Sequence, residues 1–195
     1  MIADFDEAVS GLVPEASTNR FEQSLAELGT YLGFETQRPD HQFRIGPDVL
    51  WIAPGPHDFV IEAKSHKEAY NPLYKGDHAQ LLEAEHWYKT TYPNRAAVRV
   101  SALREAAADA KASTAGTMAL TLDALARLSG AVRRLLEELV VEEGDEGAIQ
   151  RRCEALLITN SLTPDALKKC FLVPFDDPLA PLRSARHPLV GSAAQ

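Results

Sequence analysis

Apolar positions repeat with a helical period in two long segments of the chain. Phe21, Leu25, Leu28 and Leu32 follow at i, i+4, i+7 and i+11, and Gly33 comes next as a stop signal. This spacing predicts a helix over residues 19–32 with one face in a core. A similar stripe predicts an amphipathic helix over 122–140. Weaker patterns predict helices over 78–91, 103–111, 147–162 and 164–169.

Shorter apolar runs between these helices have the pattern of strands. Residues 48–53 and 57–64 are two such runs separated by Pro54, Gly55 and Pro56, which predicts a hairpin. Two more strands are predicted over 96–101 and 117–120. Helices that alternate with strands favour an α/β layered fold, with a helical C-terminal third.

The same pattern divides the chain into four parts. Residues 1–18 form a lead-in, 19–120 a core, and 121–173 a helical extension that packs on the core. Residues 174–195 contain four prolines and are predicted to be a flexible tail.

Composition agrees with an ordinary globular protein. The chain has 195 residues, of which 45% are hydrophobic, so it can bury a core without a disulfide framework. Cys153 and Cys170 are expected to be free thiols in a reducing compartment. The chain start has no basic region before an apolar run, and no stretch reaches the length of a membrane span. These features predict a cytoplasmic protein without a membrane partner.

The net charge and the motifs of the sequence exclude several classes of function. The net charge of −8 has the wrong sign for a protein that coats nucleic acid by bulk electrostatics, although it permits a local binding site. No histidine pair has zinc-ligand spacing with the two cysteines, and no Walker-type phosphate loop is present. Any motor activity would therefore belong to another chain or domain.

The predicted hairpin places two acidic residues side by side. A turn centred on Gly55 puts Asp48 opposite Glu62, and paired residues of antiparallel strands point to the same face. Lys64 shares that face, whereas Ala63 points the other way. Adjacent carboxylates repel each other, and a divalent cation relieves the conflict. Such oxygen ligands suit Mg²⁺, with Mn²⁺ as a substitute, and a phosphodiester is the natural substrate of the assembly.

These residues resemble the motif of the PD-(D/E)xK, or restriction-endonuclease-like, nucleases. Asp48 after Pro47 and the run Glu62, Ala63, Lys64 carry the resemblance, which covers residues 19–120. It implies a restriction-endonuclease-like fold, in which a mixed central sheet is flanked by helices. It also implies a metal-dependent nuclease, specifically a DNA endonuclease. In the family, the two acidic residues hold the metal, the middle residue lends its backbone carbonyl, and the lysine assists the attacking water.

The resemblance also implies supporting residues and partners. Glu22 and Gln80, on the flanking helices, correspond to residues that complete such sites, Glu22 as a further metal ligand. The strings GPDVLW, VIEAKS and LTPDAL are similar to the C-terminal nuclease-like region of large bacterial DNA helicases. This similarity implies DNA as a partner, together with a helicase or another protein of phage defence or DNA repair. A homodimer is also compatible with it.

Other interpretations of the same residues stay open at this stage. Asp48 fits a turn after a proline, and Lys64 fits a buried ion pair with either carboxylate. Glu22 and Gln80 each follow a potential helix cap by three residues. Lys67, Lys75 and Lys89 either follow a nucleic-acid backbone or form a solvated surface. The alternative functions are a non-cleaving DNA- or protein-binding module on the same fold and a dimerisation domain built on the helix 122–140.

Overall fold

The computed structural model describes residues 1–64, 72–140 and 145–175. Lys67 and the predicted tail from residue 176 onward lie outside these ranges. The elements in chain order are α1 (Ile2–Val9), α2 (Thr18–Tyr31), β1 (Glu35–Gln37), α3 (Pro39–Phe43), β2 (Val49–Ile52), β3 (His57–Lys64), α4 (Lys75–Thr91), β4 (Ala96–Leu103), β5 (Thr117–Thr121), α5 (Leu122–Val140), α6 (Glu146–Thr159), α7 (Pro164–Cys170) and β6 (Val173–Pro174).

The strands form one mixed sheet in the order β1-β2-β3-β4-β5-β6. Strands β3, β4 and β5 run parallel, while β1 and β2 at one edge and β6 at the other are antiparallel to their neighbours. Helices pack on both faces of the sheet. The predicted fold class, a mixed central sheet flanked by helices, is therefore confirmed.

The hairpin β2–β3 has the register that the sequence predicts. Leu50 pairs with Val60 and Trp51 with Phe59, across a turn in which Gly55 has a φ of +134°. Few residues other than glycine adopt that conformation, so Gly55 is well suited to the turn. Asp48 comes directly before the first residue of β2, and its carboxylate accepts a hydrogen bond from the backbone N–H of Ala63 at 2.7 Å. Asp48 is thereby held against the C-terminal end of β3.

Each face of the sheet carries its own hydrophobic cluster. Helices α1, α2 and α5 cover one face, where the indole N–H of Trp51 donates to the backbone carbonyl of Leu25 at 3.0 Å. Helix α4 covers the other face and packs on Leu50 and Val60. Because side chains alternate along a strand, Glu62 lies on the same face as Val60, next to α4. The sheet thus presents Glu62 beneath that helix.

A buried polar network joins the hairpin turn to the end of α4. The Asp58 carboxylate is fully buried and accepts hydrogen bonds from Tyr88 Oη at 2.6 Å and from the Arg95 guanidinium. It also accepts from the backbone N–H of Ala53 at 3.0 Å. Burial alone would raise the pKa of Asp58, but the hydrogen bonds from Arg95 and Tyr88 bring it below the usual value. These contacts fix the turn and orient β2 and β3.

The C-terminal helices are integrated with the sheet. The apolar stripe of α5, which includes Leu125, Leu128 and Leu135, is buried in the cluster that also contains strand residues. The apolar stripe is therefore buried in the core of the chain itself, and a dimerisation surface is not needed to explain it. Pro174 pairs with Met118 in the sheet, and Phe175 is buried. No helix among the described residues has the length and apolar content that crossing a bilayer requires.

The helix predicted over 103–111 is wrong. Strand β4 continues to Leu103, which pairs with Thr121, and an irregular segment follows. The backbone of Leu73 accepts from Asp109 N–H at 3.0 Å and donates to the Ala107 carbonyl at 2.9 Å. These long-range hydrogen bonds replace helical ones, so tertiary contacts override the high helix propensity of an alanine-rich segment. The short elements β1, α3 and β6 were not predicted.

Candidate active site

An open cleft of about 660 Å³ lies between α4 and the connection from β1 to β2. Asp48, Glu62 and Lys64 line it at the ends of the two hairpin strands. The residues of α4 from Gln80 to Thr90 provide one wall, and segment 39–47 provides the other. The cleft therefore collects three of the predicted catalytic residues and a fourth, Gln80, from the adjoining helix.

The Asp48 and Glu62 carboxyl groups are adjacent, as the hairpin register requires. Glu62 is buried, and Asp48 is partly buried. Burial and the charge of Asp48 raise the pKa of Glu62 to about 8, although Lys64 acts in the opposite direction. Burial also raises the pKa of Asp48, against the hydrogen bond from Ala63 and the charge of Lys64. The pair therefore tends to retain a proton near neutral pH, as expected when two carboxylates share a poorly solvated site.

Lys64 lies between an acidic and a neutral partner. Its Nζ atom donates to Gln80 Oε1 at 2.7 Å and lies 3.4 Å from Glu62 Oε2. The lysine side chain is only 15% exposed, so its charge acts in a setting with limited screening by water. Gln80 holds this ammonium group at a defined position over the floor of the cleft.

The backbone of Ala63 faces the same edge of β3 as Asp48. Its N–H donates to the Asp48 carboxylate. In a strand, the N–H and C=O of one residue point to the same edge, as the reciprocal hydrogen bonds of antiparallel pairs require. The Ala63 carbonyl is therefore directed toward the side on which Asp48 lies. This orientation is compatible with the role that the resemblance implies for Ala63.

The donor set of the cleft fits a hard divalent cation. Two adjacent carboxylates with raised pKa values are a site whose repulsion a cation would relieve, and Mg²⁺ commonly uses one or two protein carboxylates together with water and phosphate oxygens. Within residues 1–64, 72–140 and 145–175, no group of three or more His, Cys, Asp and Glu side chains is placed to hold one metal ion. Asp48 and Glu62 are thus a pair, and Glu22 is not gathered with them as a third ligand.

Glu22 is instead paired with Arg38. The Arg38 guanidinium contacts Glu22 Oε2 at 2.5 Å and also donates to the side chains of Asn19 and Gln23. Both members of the ion pair are largely buried. Burial raises the pKa of Glu22 despite the hydrogen bond from Arg38, and Asp48 adds to the rise through its charge. Glu22 therefore lies near enough to influence Asp48 electrostatically.

Neither Glu22 nor Gln80 acts as part of a helix cap. Helix α2 begins at Thr18, where the Ser17 side chain accepts from the Arg20 N–H. In α4, the backbone N–H of Tyr74 donates to the Asp77 carboxylate at 2.8 Å, one turn before Gln80. Capping was one of the interpretations of their sequence spacing, and the structure excludes it for both residues.

Glu22→Gln should lower the free energy of unfolding by about 1–3 kcal/mol, because it weakens a buried hydrogen-bonded ion pair. The affinity for Mn²⁺ should change less than about tenfold, since only a nearby charge is removed. Urea unfolding and calorimetric Mn²⁺ titration measure the two effects. Glu137→Gln is the matched control, because it breaks an exposed pair with Arg133. A large loss of Mn²⁺ affinity without loss of stability would instead make Glu22 a ligand.

Two of the predicted nucleic-acid-binding lysines, Lys75 and Lys89, do not line this cleft. Lys75 borders a separate pocket on the other flank of α4, together with His78 and Arg99. Lys89 is 62% exposed and pairs with Glu85 at 3.0 Å. Lys67 lies outside the described residues. The cation that the structure adds to the cleft is Arg44.

Sequence reasoning missed several residues around the site. Arg38, which holds Glu22, and Asp40 and Arg44, which line the cleft, lie in a polar stretch without a periodic pattern. Trp87, also in the cleft wall, lies on α4, and its position in the sequence predicted no role for it. The one local signal was the pair Gly46 and Pro47, which marked a turn before the hairpin.

Comparisons with protein-family models, with curated proteins and with solved structures found no match for this chain.

Proposed function

We propose that this chain is a metal-dependent nuclease of the PD-(D/E)xK type, with a restriction-endonuclease-like core, that hydrolyses phosphodiester bonds in DNA. The observation that carries the proposal is the adjacency of Asp48 and Glu62, with Lys64 beside them, in an open cleft. The mixed sheet and the antiparallel hairpin between α2 and α4 agree with the fold that the sequence resembles.

The chemistry of the donors favours a phosphodiester substrate. Asp48 and Glu62, with the Ala63 carbonyl, would hold Mg²⁺ or Mn²⁺. When bound, such a cation supplies Lewis-acid polarisation of a phosphate oxygen and lowers the pKa of coordinated water. The cleft is open to solvent along α4, so a polymer can lie across it without a deep pocket for one small molecule.

The side chains of the cleft have distinct roles in this proposal. Lys64 orients the attacking water or stabilises the negative charge that develops on the phosphate, because its ammonium group is held over the carboxylate pair. Gln80 is a positioning residue, since it acts through Lys64. Arg38 keeps Glu22 away from the carboxylate pair, and the hydrogen bond from Ala63 orients Asp48.

The net charge bears on how the enzyme reaches its substrate. At −8, the chain has little long-range attraction for DNA, so binding by the isolated protein should be weak and sensitive to salt. A helicase or another defence or repair protein, or a second copy of the chain, would then deliver the DNA. These partners belong to the proposal and derive from the sequence resemblance.

Incubation of the purified chain with plasmid, linear duplex and single-stranded DNA tests the proposal directly. Cleavage is expected with Mg²⁺ or Mn²⁺ and should stop with EDTA. The double variant Asp48→Asn, Glu62→Gln should be inactive, and it controls for a contaminating nuclease. A parent that binds DNA but leaves every substrate intact with either metal would favour the alternative, a non-cleaving binding module.

A further inference from the structure

The wall of the cleft opposite α4 is a structured loop, residues 39–47. The backbone N–H of Asp40 donates to the Pro47 carbonyl at 3.2 Å, which closes the base of the loop. Gly46 has a φ of +91° and lies directly against the indole of Trp87, so that a Cβ at this position would approach Trp87 Cδ2 to 2.8 Å. Glycine is required there by both conformation and space. The loop is thus fastened to α4 at the edge of the cleft.

The crest of this loop, residues 43–45, exposes two large apolar side chains and an arginine. Phe43 is 68% exposed and Ile45 is 54% exposed. Between them, Arg44 has a φ of 59°, a left-handed conformation that favours glycine or asparagine at the end of a helix. Within the described part of the chain, the Arg44 guanidinium makes no hydrogen bond or ion pair. Large apolar groups and a free cation on a fastened loop favour a binding role over a packing role.

The charge and shape of the crest point to a specific ligand. The cleft also contains Asp40, Asp48, Glu62 and Glu83, and the proposed function assigns Lys64 to the reacting phosphate, so Arg44 supplies a cation for a further backbone phosphate. A phenyl ring binds nucleobases by stacking on their faces. In a duplex, those faces are covered by neighbouring bases, whereas in a single strand they are accessible. The crest is therefore complementary to an unpaired strand.

We propose that loop 39–47 binds single-stranded DNA at the mouth of the cleft, with Arg44 on a backbone phosphate and Phe43 stacked on a base. This inference rests on the proposed nuclease function and adds the substrate class: unpaired strands, such as ends or flaps, are preferred over intact duplex. Ile45, which lines the cleft together with Arg44, provides apolar contact to the sugar and base.

Fluorescence anisotropy of a labelled oligonucleotide of about 20 nucleotides, in EDTA to prevent cleavage, tests the proposal. The parent should bind the single strand more tightly than the duplex of the same sequence. Phe43→Ala should raise the Kd for the single strand about tenfold and leave that for the duplex nearly unchanged. Phe43→Tyr should restore binding, because it keeps the ring. Ile158→Ala, at another exposed apolar position on α6, is the matched control.

The salt dependence of binding distinguishes the phosphate contact of Arg44 from the base contact of Phe43. Arg44→Asn removes the charge while retaining a residue type that tolerates the left-handed conformation. It should reduce the slope of log Kd against log salt concentration by about 0.7, the value for one phosphate contact on a single strand. Phe43→Ala should leave that slope unchanged. Arg134→Ala, an exposed arginine on α5, should change neither slope nor affinity.

The outcomes distinguish this proposal from the nuclease function. Equal or tighter binding of duplex by the parent, or an effect of Phe43→Ala no larger than that of Ile158→Ala, overturns the single-strand site. Metal-dependent cleavage in that case leaves the nuclease assignment standing. Conversely, single-strand binding that responds to Phe43 and Arg44, without cleavage, supports the site and rejects the nuclease.

Discussion

Lys64→Ala should lower the rate of DNA cleavage by about 100- to 1,000-fold while leaving Mn²⁺ affinity close to that of the parent. The lysine ammonium lies between Gln80 and Glu62 at the floor of the cleft. In the proposed reaction, a positive charge at this point would act on the water or on the phosphate and would not be an ion ligand. Initial cleavage rates and calorimetric Mn²⁺ titration of the same preparation measure the two properties separately.

Asp48→Asn should remove both cleavage and metal binding, because it replaces a charged ligand by a neutral amide. The amide oxygen can still accept the hydrogen bond from the Ala63 N–H, so the fold should be retained. Lys89→Ala is the control for Lys64→Ala, since it removes the same charge from an exposed lysine of α4. If Lys64→Ala and Asp48→Asn both cleave at the parental rate, the carboxylate pair is not the catalytic site.

Glu62→Gln should make the metal-free protein more stable than its parent at about pH 8. The pKa of Glu62 is raised from 4.5 to about 8, so between these values the folded protein keeps a proton that the unfolded chain has released. This contribution to stability is fully present below the unfolded pKa and is lost as the pH rises to about 8. It falls by on the order of 1.4 kcal/mol per pH unit within that window. The glutamine side chain of the variant does not ionise, so the variant does not lose stability in this pH window.

Mn²⁺ should reverse this order of stability. The parent gains stability from a cation that binds the folded state alone, whereas the glutamine variant lacks the charge that holds the ion. Urea unfolding from about pH 5 to about pH 9, with EDTA or with Mn²⁺, gives both comparisons. Glu137→Gln controls for the loss of one negative charge on the surface. Parallel pH profiles of parent and Glu62→Gln in EDTA would show that Glu62 is not held protonated, contrary to the expected burial effect.

The central hairpin was predictable from the sequence because its information is local. Alternating apolar positions on the two strands assign the faces, and the turn around Gly55 sets the register, so Leu50 is found opposite Val60 as expected. Asp48 and Glu62 then have to be neighbours. The stripe of α5 is local information of the same kind, since its period alone shows which side is buried.

Contacts between distant parts of the chain were not predictable in this way. The segment after β4 has the composition of a helix, yet hydrogen bonds from Leu73 hold it in an irregular path. Glu22 pairs with Arg38, and Lys64 with Gln80, because α2 packs beside β1 and α4 packs over β3, on opposite faces of one sheet. The spacing of residues along the chain does not encode such contacts between distant segments. Local periodicity therefore specified the strands that carry the carboxylates, whereas the packing of helices and the loop carrying Arg44 created the cleft around them.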